Sequence, residues 1–129
     1  ARTRNAGTIL AAAALLPALR VPDLPDHVVH AHYKAYVFVR PERLASDWSR
    51  DRIMAEINAS GVPCFSGSCS EVYLEKAFDD TGWRPAERLP VARALGETSL
   101  MFLVHPTLTE AEIAKTCSVL TEVMTRATA

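Results

Sequence analysis

Apolar and polar residues alternate from His32 to Arg40. Tyr33, Ala35, Val37 and Val39 fall on one side of an extended chain; His32, Lys34, Tyr36, Phe38 and Arg40 fall on the other. A period of two predicts a strand with one dry and one mixed face, and Pro41 ends it. Leu100 to Val104 has a different pattern, an unbroken apolar run bounded by Ser99 and by His105-Pro106. It is too short for a typical helix and predicts a central strand covered on both faces, with Leu100 and Phe102 buried. Its neighbours in sequence frame it. Pro90 suits the first turn of a preceding helix, and Gly96 suits the left-handed position just past that helix's end. Thr109-Glu110-Ala111-Glu112 is a T-x-x-E capping box. It opens a last helix from Glu110 to about Arg126, with Ile113, Cys117, Leu120 and Met124 on one stripe.

The remaining pattern fills in around that strand. Residues 2–16 are rich in Ala and Leu and predict a helix stopped by Pro17. Residues 17–30 carry Pro17, Pro22 and Pro25 and predict an extended connector. Ser49 caps a helix through about Ser60, with Ile53, Met54 and Ile57 facing inward and Gly61 as its stop. Val62 to Phe65 is a short strand whose Pro63 assigns it to an edge or a strand start. Ser66 to Ser70 is a loop of small residues. Ser68-Cys69-Ser70-Glu71 is a second capping box, predicting a helix to about Phe78, and Asp79 to Leu89 is loop. The sum is a small α/β (α+β) domain, with three strands in a largely antiparallel sheet and helices mainly on one face.

Composition narrows the function. A chain of 129 residues with 49% hydrophobic and 22% charged residues suits one soluble domain. A net charge of -1 with no run of like charges argues against a nucleic-acid surface. The longest apolar stretch, Ile9 to Leu16, falls well short of the ~20 residues of a membrane span and lacks a signal-peptide plan. Cys64, Cys69 and Cys117 are an odd number without metal-like spacing, which points to a reducing, cytoplasmic setting.

Candidate chemistry is sparse. His27, His30 and His32 lie close together, but a metal needs a further ligand and an outer shell; a polar strand start at the surface accounts for them. The Ser66–Glu71 loop has small residues that can present N–H groups to a phosphate or carboxylate, although capping alone explains Ser68 and Glu71. It has no P-loop spacing. Cys69 is a nucleophile only if a helix end lowers its pKa, and a packing role is the alternative. Tyr73 and Trp83 stack on a base or sugar or, by default, are buried.

Several segments carry a resemblance. HAHYKAYVFVRPERL (His30 to Leu44), SRDRIMAEINASGVPC (Ser49 to Cys64) and LPVARALGETSLMFLVHPTLTEAEI (Leu89 to Ile113) resemble the C-terminal end of the DegT/DnrJ/EryC1/StrS aminotransferases. The opening RNAGTILAAAALLPALRVP is similar to the linker helix and L-P-x-L-x-x-P connector that precede that end. The likeness runs through essentially the whole chain, in order. It implies a fold type I pyridoxal-phosphate enzyme that transfers an amino group, usually from glutamate, to a nucleotide-linked keto sugar. The cofactor and its Schiff-base lysine belong to a large N-terminal domain, and Lys34, Lys76 and Lys115 sit in nothing resembling that lysine's segment.

The resemblance therefore implies a single C-terminal domain: residues 1–16 as linker helix, 17–30 as connector and 31–129 as α/β sandwich, without the large domain. Pyridoxal phosphate is expected in the full-length enzyme and not on this fragment, which is expected to be inactive alone. His32, Tyr33, Ser66, Ser68, Cys69 and Glu71 are the implied substrate-side residues. Many members carry an H-Y-x-P-L-H-like segment where this chain has CFSGSCSEVYLEKAF, so smaller groups line the same place. The expected partners are a nucleotide sugar, an amino donor and a second copy of the chain. No nucleic acid or membrane is expected, and the isolated chain should self-associate near its first helix, where Ile9, Ala12, Ala13 and Leu16 form a stripe. A stand-alone binding domain derived from such an enzyme, and a small enzyme using Cys69, are the competing readings.

Overall fold

The computed structural model describes residues 1–129. Four α-helices, α1 (Arg2–Ala14), α2 (Arg50–Ala59), α3 (Pro90–Thr98) and α4 (Glu110–Ala127), surround a sheet of β1 (Leu19–Arg20), β2 (Lys34–Val39), β3 (Cys64–Phe65) and β4 (Ser99–Leu103). The sheet order is β1-β2-β4-β3, and every pairing is antiparallel. The sheet therefore has four strands, not three. The extra strand is the two-residue β1, formed within the proline-rich connector, where Leu19 and Arg20 pair with Val39 and Phe38 before Pro22 removes the next donor.

Alternation along β2 is observed as read for Ala35, Val37 and Val39, which are buried with half-exposed neighbours, but Tyr33, read onto the same dry face, precedes the strand and is 72% exposed. In β4, Leu100 and Phe102 are fully buried and pair with Val37 and Ala35, so these four side chains share one face. Met101 and Leu103 point the other way and are half-exposed, so β4 is central but dry on one face rather than on both. Ala6, Ile9 and Ala13 of α1, Ile53 and Ile57 of α2, and Ile113, Leu120 and Met124 of α4 join the dry face in one apolar cluster. The stripe of α1 is thus spent inside the molecule, against α4 and β2. Buried Asn5 fastens the same helix, its Nδ2 donating to the carbonyls of Val104 (3.5 Å) and His105 (3.3 Å).

Helix ends show which sequence signals hold. Ser49 accepts from the Arg52 N–H, and Gly61 takes φ +74° just after α2. The Thr109–Glu112 box forms in both directions. Ser68–Glu71 does not: two 3-10 turns, Val72–Leu74 and Lys76–Phe78, replace the expected helix. Gly96 is not a stop either. It lies inside α3, where a Cβ would meet Ser70 Oγ at 2.1 Å and Ser70 Cβ at 3.1 Å, so its small size serves the close approach of loop 66–70 rather than a left-handed turn. Trp83, expected to be buried, is 79% exposed.

Candidate functional site

The half-exposed face of the sheet carries the loop 66–70. Gly67 takes φ +95°, and a Cβ there would lie 2.4 Å from the Tyr36 ring, so the loop rests directly on that ring. The Ser68 N–H donates to the Tyr36 hydroxyl oxygen at 3.2 Å, and the two hydroxyls of Tyr36 and Ser68 lie 3.4 Å apart. Ser99, the buried first residue of β4, donates its hydroxyl to the Ser66 carbonyl. Arg50 crosses from α2 and donates Nη1 to the carbonyls of Gly96 and Ser99, each at 3.0 Å, closing the C-terminal end of α3 onto the sheet. The glycine turn after β3 is thus held by side chains from β2 and β4, and the end of α3 by one from α2.

This framework opens a cleft of about 470 Å³. Ser66, Ser68, Cys69 and Glu71 line it together, with Lys76 on one side and Arg93, Gly96 and Glu97 of α3 on another. Most of its charges already have partners. Arg93 pairs with Glu97 at 2.8 Å, and Arg50 pairs with Asp51 at 2.7 Å. Glu71 accepts from Tyr73 and Arg88, and the Arg88 guanidinium beside it holds its carboxyl down to about 2. What the cleft offers a ligand is serine hydroxyls, loop backbone and the Lys76 ammonium, a lining suited to a hydroxylated, polar molecule.

One thiol lines the cleft. Cys69 is exposed, and its Sγ donates to Glu75 Oε1 at 3.5 Å, while no histidine lines the cleft to complete a Cys–His pair. Cys64 is buried under the sheet, and burial pushes its thiol up to about 12. Of the three lysines, Lys34 is half-buried beside Tyr33, Lys76 is exposed, and Lys115 donates to the Gly61 carbonyl at 3.3 Å.

His32 and Tyr33 lie elsewhere. His32 takes φ +47° ahead of β2, its N–H donates to His30 Nδ1 at 3.0 Å, and the two rings meet edge-on at 4.5 Å. Partial burial, and then the neighbouring His30, lower the His32 pKa. The pair lines a smaller cleft of about 240 Å³ with Pro22 and Leu24. Tyr33 is exposed, with Arg2 5.8 Å from its ring centroid. No group of three or more His, Cys, Asp or Glu side chains is placed to hold a metal. Tyr36 connects the two regions: its ring lines the smaller cleft, and its hydroxyl holds the loop of the larger. Sequence reading missed Tyr36, Arg50 and Arg93 as parts of the site. Tyr36 had one usable signal, its position on the mixed face of β2.

Fold and cleft together define a small α/β module with a polar, hydroxyl-lined depression. Its structural relatives are aminotransferases of the DegT/DnrJ/EryC1/StrS type. The chain is similar to the aminotransferase from Psychrobacter cryohalolentis, with 60% identity and a TM-score of 0.90, covering 96% of this chain and 33% of that one. It is similar to a DegT DnrJ EryC1 StrS aminotransferase from Brucella abortus at 25% identity and a TM-score of 0.72, covering 94% of this chain and 30% of that one. A Bacillus subtilis protein solved with bound cofactor PMP shares the fold, with 19% identity, a TM-score of 0.75, and coverage of 96% and 28%. The chain thus spans about a third of the length of these relatives. No protein-family model and no curated protein matches the sequence.

Proposed function

We propose that this chain is the C-terminal small domain of a pyridoxal-phosphate-dependent aminotransferase that moves an amino group, from glutamate, to a nucleotide-linked keto sugar. The observation that carries this reading is the 60% identity to the Psychrobacter aminotransferase over 96% of the chain. On this reading residues 1–16 are the linker helix, 17–30 the connector and 31–129 the small domain of a cytoplasmic homodimer. The cleft beside Ser66, Ser68, Cys69 and Glu71 borders the substrate.

The residues present do not fit a cradle for pyridoxal phosphate. None of the three lysines is buried, and loop 66–70 opens no α-helix whose N–H groups could hold the phosphate. The cofactor and the lysine that bonds it are assigned to the larger remainder of such an enzyme, and no chemical step is assigned to this chain. Its part is to shape and shield the substrate cleft with Tyr36, Ser68 and Arg50 fixing the loop. A chimera tests this: the chain replaces the corresponding third of the Psychrobacter aminotransferase, and glutamate-dependent amination of a keto-sugar nucleotide is measured. Activity within about tenfold of the parent is expected, since the backbones match at a TM-score of 0.90 and volume-conserving core changes are tolerated. A chimera that folds and binds the cofactor but does not transaminate would overturn the reading and favour a stand-alone binding domain.

A further inference from the structure

Residues 72–87 leave the body between loop 66–70 and α3, and none of them is buried. Their internal order comes largely from one side chain. Arg84 donates Nε to the Tyr73 carbonyl at 2.9 Å and Nη2 to the carbonyls of Leu74 (3.1 Å) and Glu75 (3.2 Å), and it pairs with Asp79. Backbone bonds in this stretch are local, from Leu74 to Glu71 and from Asp79 to Lys76. Towards the body there is the long Cys69–Glu75 contact and then a cluster at the base.

That cluster converges on one carboxylate. The Tyr73 hydroxyl donates to Glu71 Oε1 at 2.6 Å, Arg88 Nε donates to the same oxygen at 2.9 Å, and Arg88 Nη2 donates to Oε2. The Leu89 N–H donates to the Tyr73 hydroxyl oxygen at 2.8 Å, so the first turn of α3 is tied in as well. Glu71 and Arg88 are seventeen positions apart, and the Glu71 side chain is 12% exposed. A two-toothed, charge-assisted pair is the strongest polar tie available to a surface segment.

We propose that residues 72–87 form a strap that swings as one body at the edge of the cleft, clasped at its base by Glu71, Tyr73 and Arg88. Leu74, Glu75 and Lys76 are part of the cleft lining, so the strap's position sets the width of the opening. A segment with no buried apolar contact opens at a free energy set by its few polar ties, well below that of global unfolding. Long excursions of this kind inside a compact domain are commonly functional. The Arg84 clamp keeps the strap folded when the clasp is released, which makes the motion a swing rather than a melting. This follows from the strap's own contacts, whatever the cleft binds.

Hydrogen exchange by mass spectrometry, with iodoacetamide labelling of Cys69, tests the clasp on the chain and on the variants Glu71→Gln, Tyr73→Phe and Glu71→Arg/Arg88→Glu. Cys69 is a clean reporter, because Cys64 is buried and Cys117 half-buried with its thiol pushed up by desolvation. In Glu71→Gln, exchange of the Leu89 amide, whose bond to the Tyr73 oxygen crosses the clasp, should rise by about tenfold, the cost of one lost charge-assisted tie. Cys69 labelling should rise in parallel, while the amides bonded inside the strap, Glu75 to Val72 and Asp79 to Lys76, and the peptides of β4 and α4 exchange as before. Tyr73→Phe, which removes the acceptor of the Leu89 N–H, should show the same pattern, and the charge-swapped double variant should recover part of the protection. Unchanged Leu89 exchange and Cys69 labelling in Glu71→Gln would overturn the clasp. A rise that spreads into β4 and α4, or that reaches the amides bonded inside 72–87, would overturn the swing as one body.

Discussion

Two helices of this molecule are built alike and used differently. α3 and α4 both carry apolar residues along one side. α4 buries Ile113, Leu120, Val123, Met124 and Ala127, whereas α3 buries nothing, and Leu89, Val91 and Leu95 stay exposed around it. α4 is held by apolar area removed from water, with α1, α2 and the sheet. α3, together with loop 66–70 and the strap before it, is held by named polar ties: Tyr36 to Ser68, Ser99 to Ser66, Arg50 to Gly96 and Ser99, Arg88 to Glu71. Apolar burial is collective and resists local opening, while a few polar ties break one at a time. The cleft lies on the polar-tied side, so it can change shape while the core keeps its packing.

The sharpest way to break this contrast is to damage the core. Leu100 is fully buried in the central strand, so Leu100→Ala should cost about 2–5 kcal/mol by leaving a cavity under α1, α2 and α4. Chemical denaturation measures it, and both sides should lose protection together. A cost under ~1 kcal/mol would mean that β4 is not the packing centre.

Arg50→Ala attacks the polar side instead. It removes two charge-assisted bonds to the carbonyls of Gly96 and Ser99 from a side chain that is 17% exposed. About 1–3 kcal/mol should be lost, and hydrogen exchange should rise first in α3 and loop 66–70. A loss spread evenly into α4 would erase the distinction between the two regions.

Thr109→Ala sharpens the comparison at the N-terminus of α4. The Thr109 hydroxyl accepts from the Glu112 N–H at 3.2 Å, and the Glu112 carboxylate accepts from the Thr109 N–H at 2.8 Å. The variant should cost about 1 kcal/mol, read as a lower thermal midpoint, because fraying there reaches the buried Ile113.

The two capping boxes also show what the sequence could reveal. Thr109–Glu112 and Ser68–Glu71 share one pattern, yet only the first caps a helix. Behind Thr109 stands a stripe of apolar residues with a core to join. Behind Ser68 stand Val72, Leu74 and Phe78, which reach no core, so nothing stabilises a helix there and Glu71 is claimed by Arg88 instead. β2, β4, α2 and α4 were legible because period and burial agree in them. β1 was not, since two residues carry no period and their pairing is fixed by β2. Gly96 was misread because local chain grammar cannot foresee Ser70 Oγ arriving from a loop far upstream. The contiguous part of the cleft, Ser66 to Glu71, could be seen as a unit, whereas Tyr36, Arg50 and Arg93 join it through the fold.

Acid should produce the smallest change in the core and a local one at the strap. The Glu71 carboxyl is held at about 2 against an ordinary 4.5, first by the hydrogen bonds from Arg88 and Tyr73. A depressed carboxylate contributes its ties fully above the unfolded value and loses them as pH falls through the folded one. The clasp should therefore be intact from neutral pH down to 4.5 and release between there and about 2. Glu112, lowered by its bonds from the Thr109 backbone and hydroxyl, shares the sign. From about pH 7 to pH 5 neither carboxylate should move the thermal midpoint, because both remain ionised there; the small fall expected over that range comes from His32, whose lowered pKa favours the fold while the ring is neutral. The amide of Leu89, bonded to the Tyr73 oxygen, is the local reporter, and its chemical shift followed by NMR should titrate far below the ordinary carboxylate range. A Leu89 amide that titrates near 4.5 would show Glu71 free of Arg88 in solution. It would leave α3 and the strap without the tie that separates them, in kind, from the packed layer beneath.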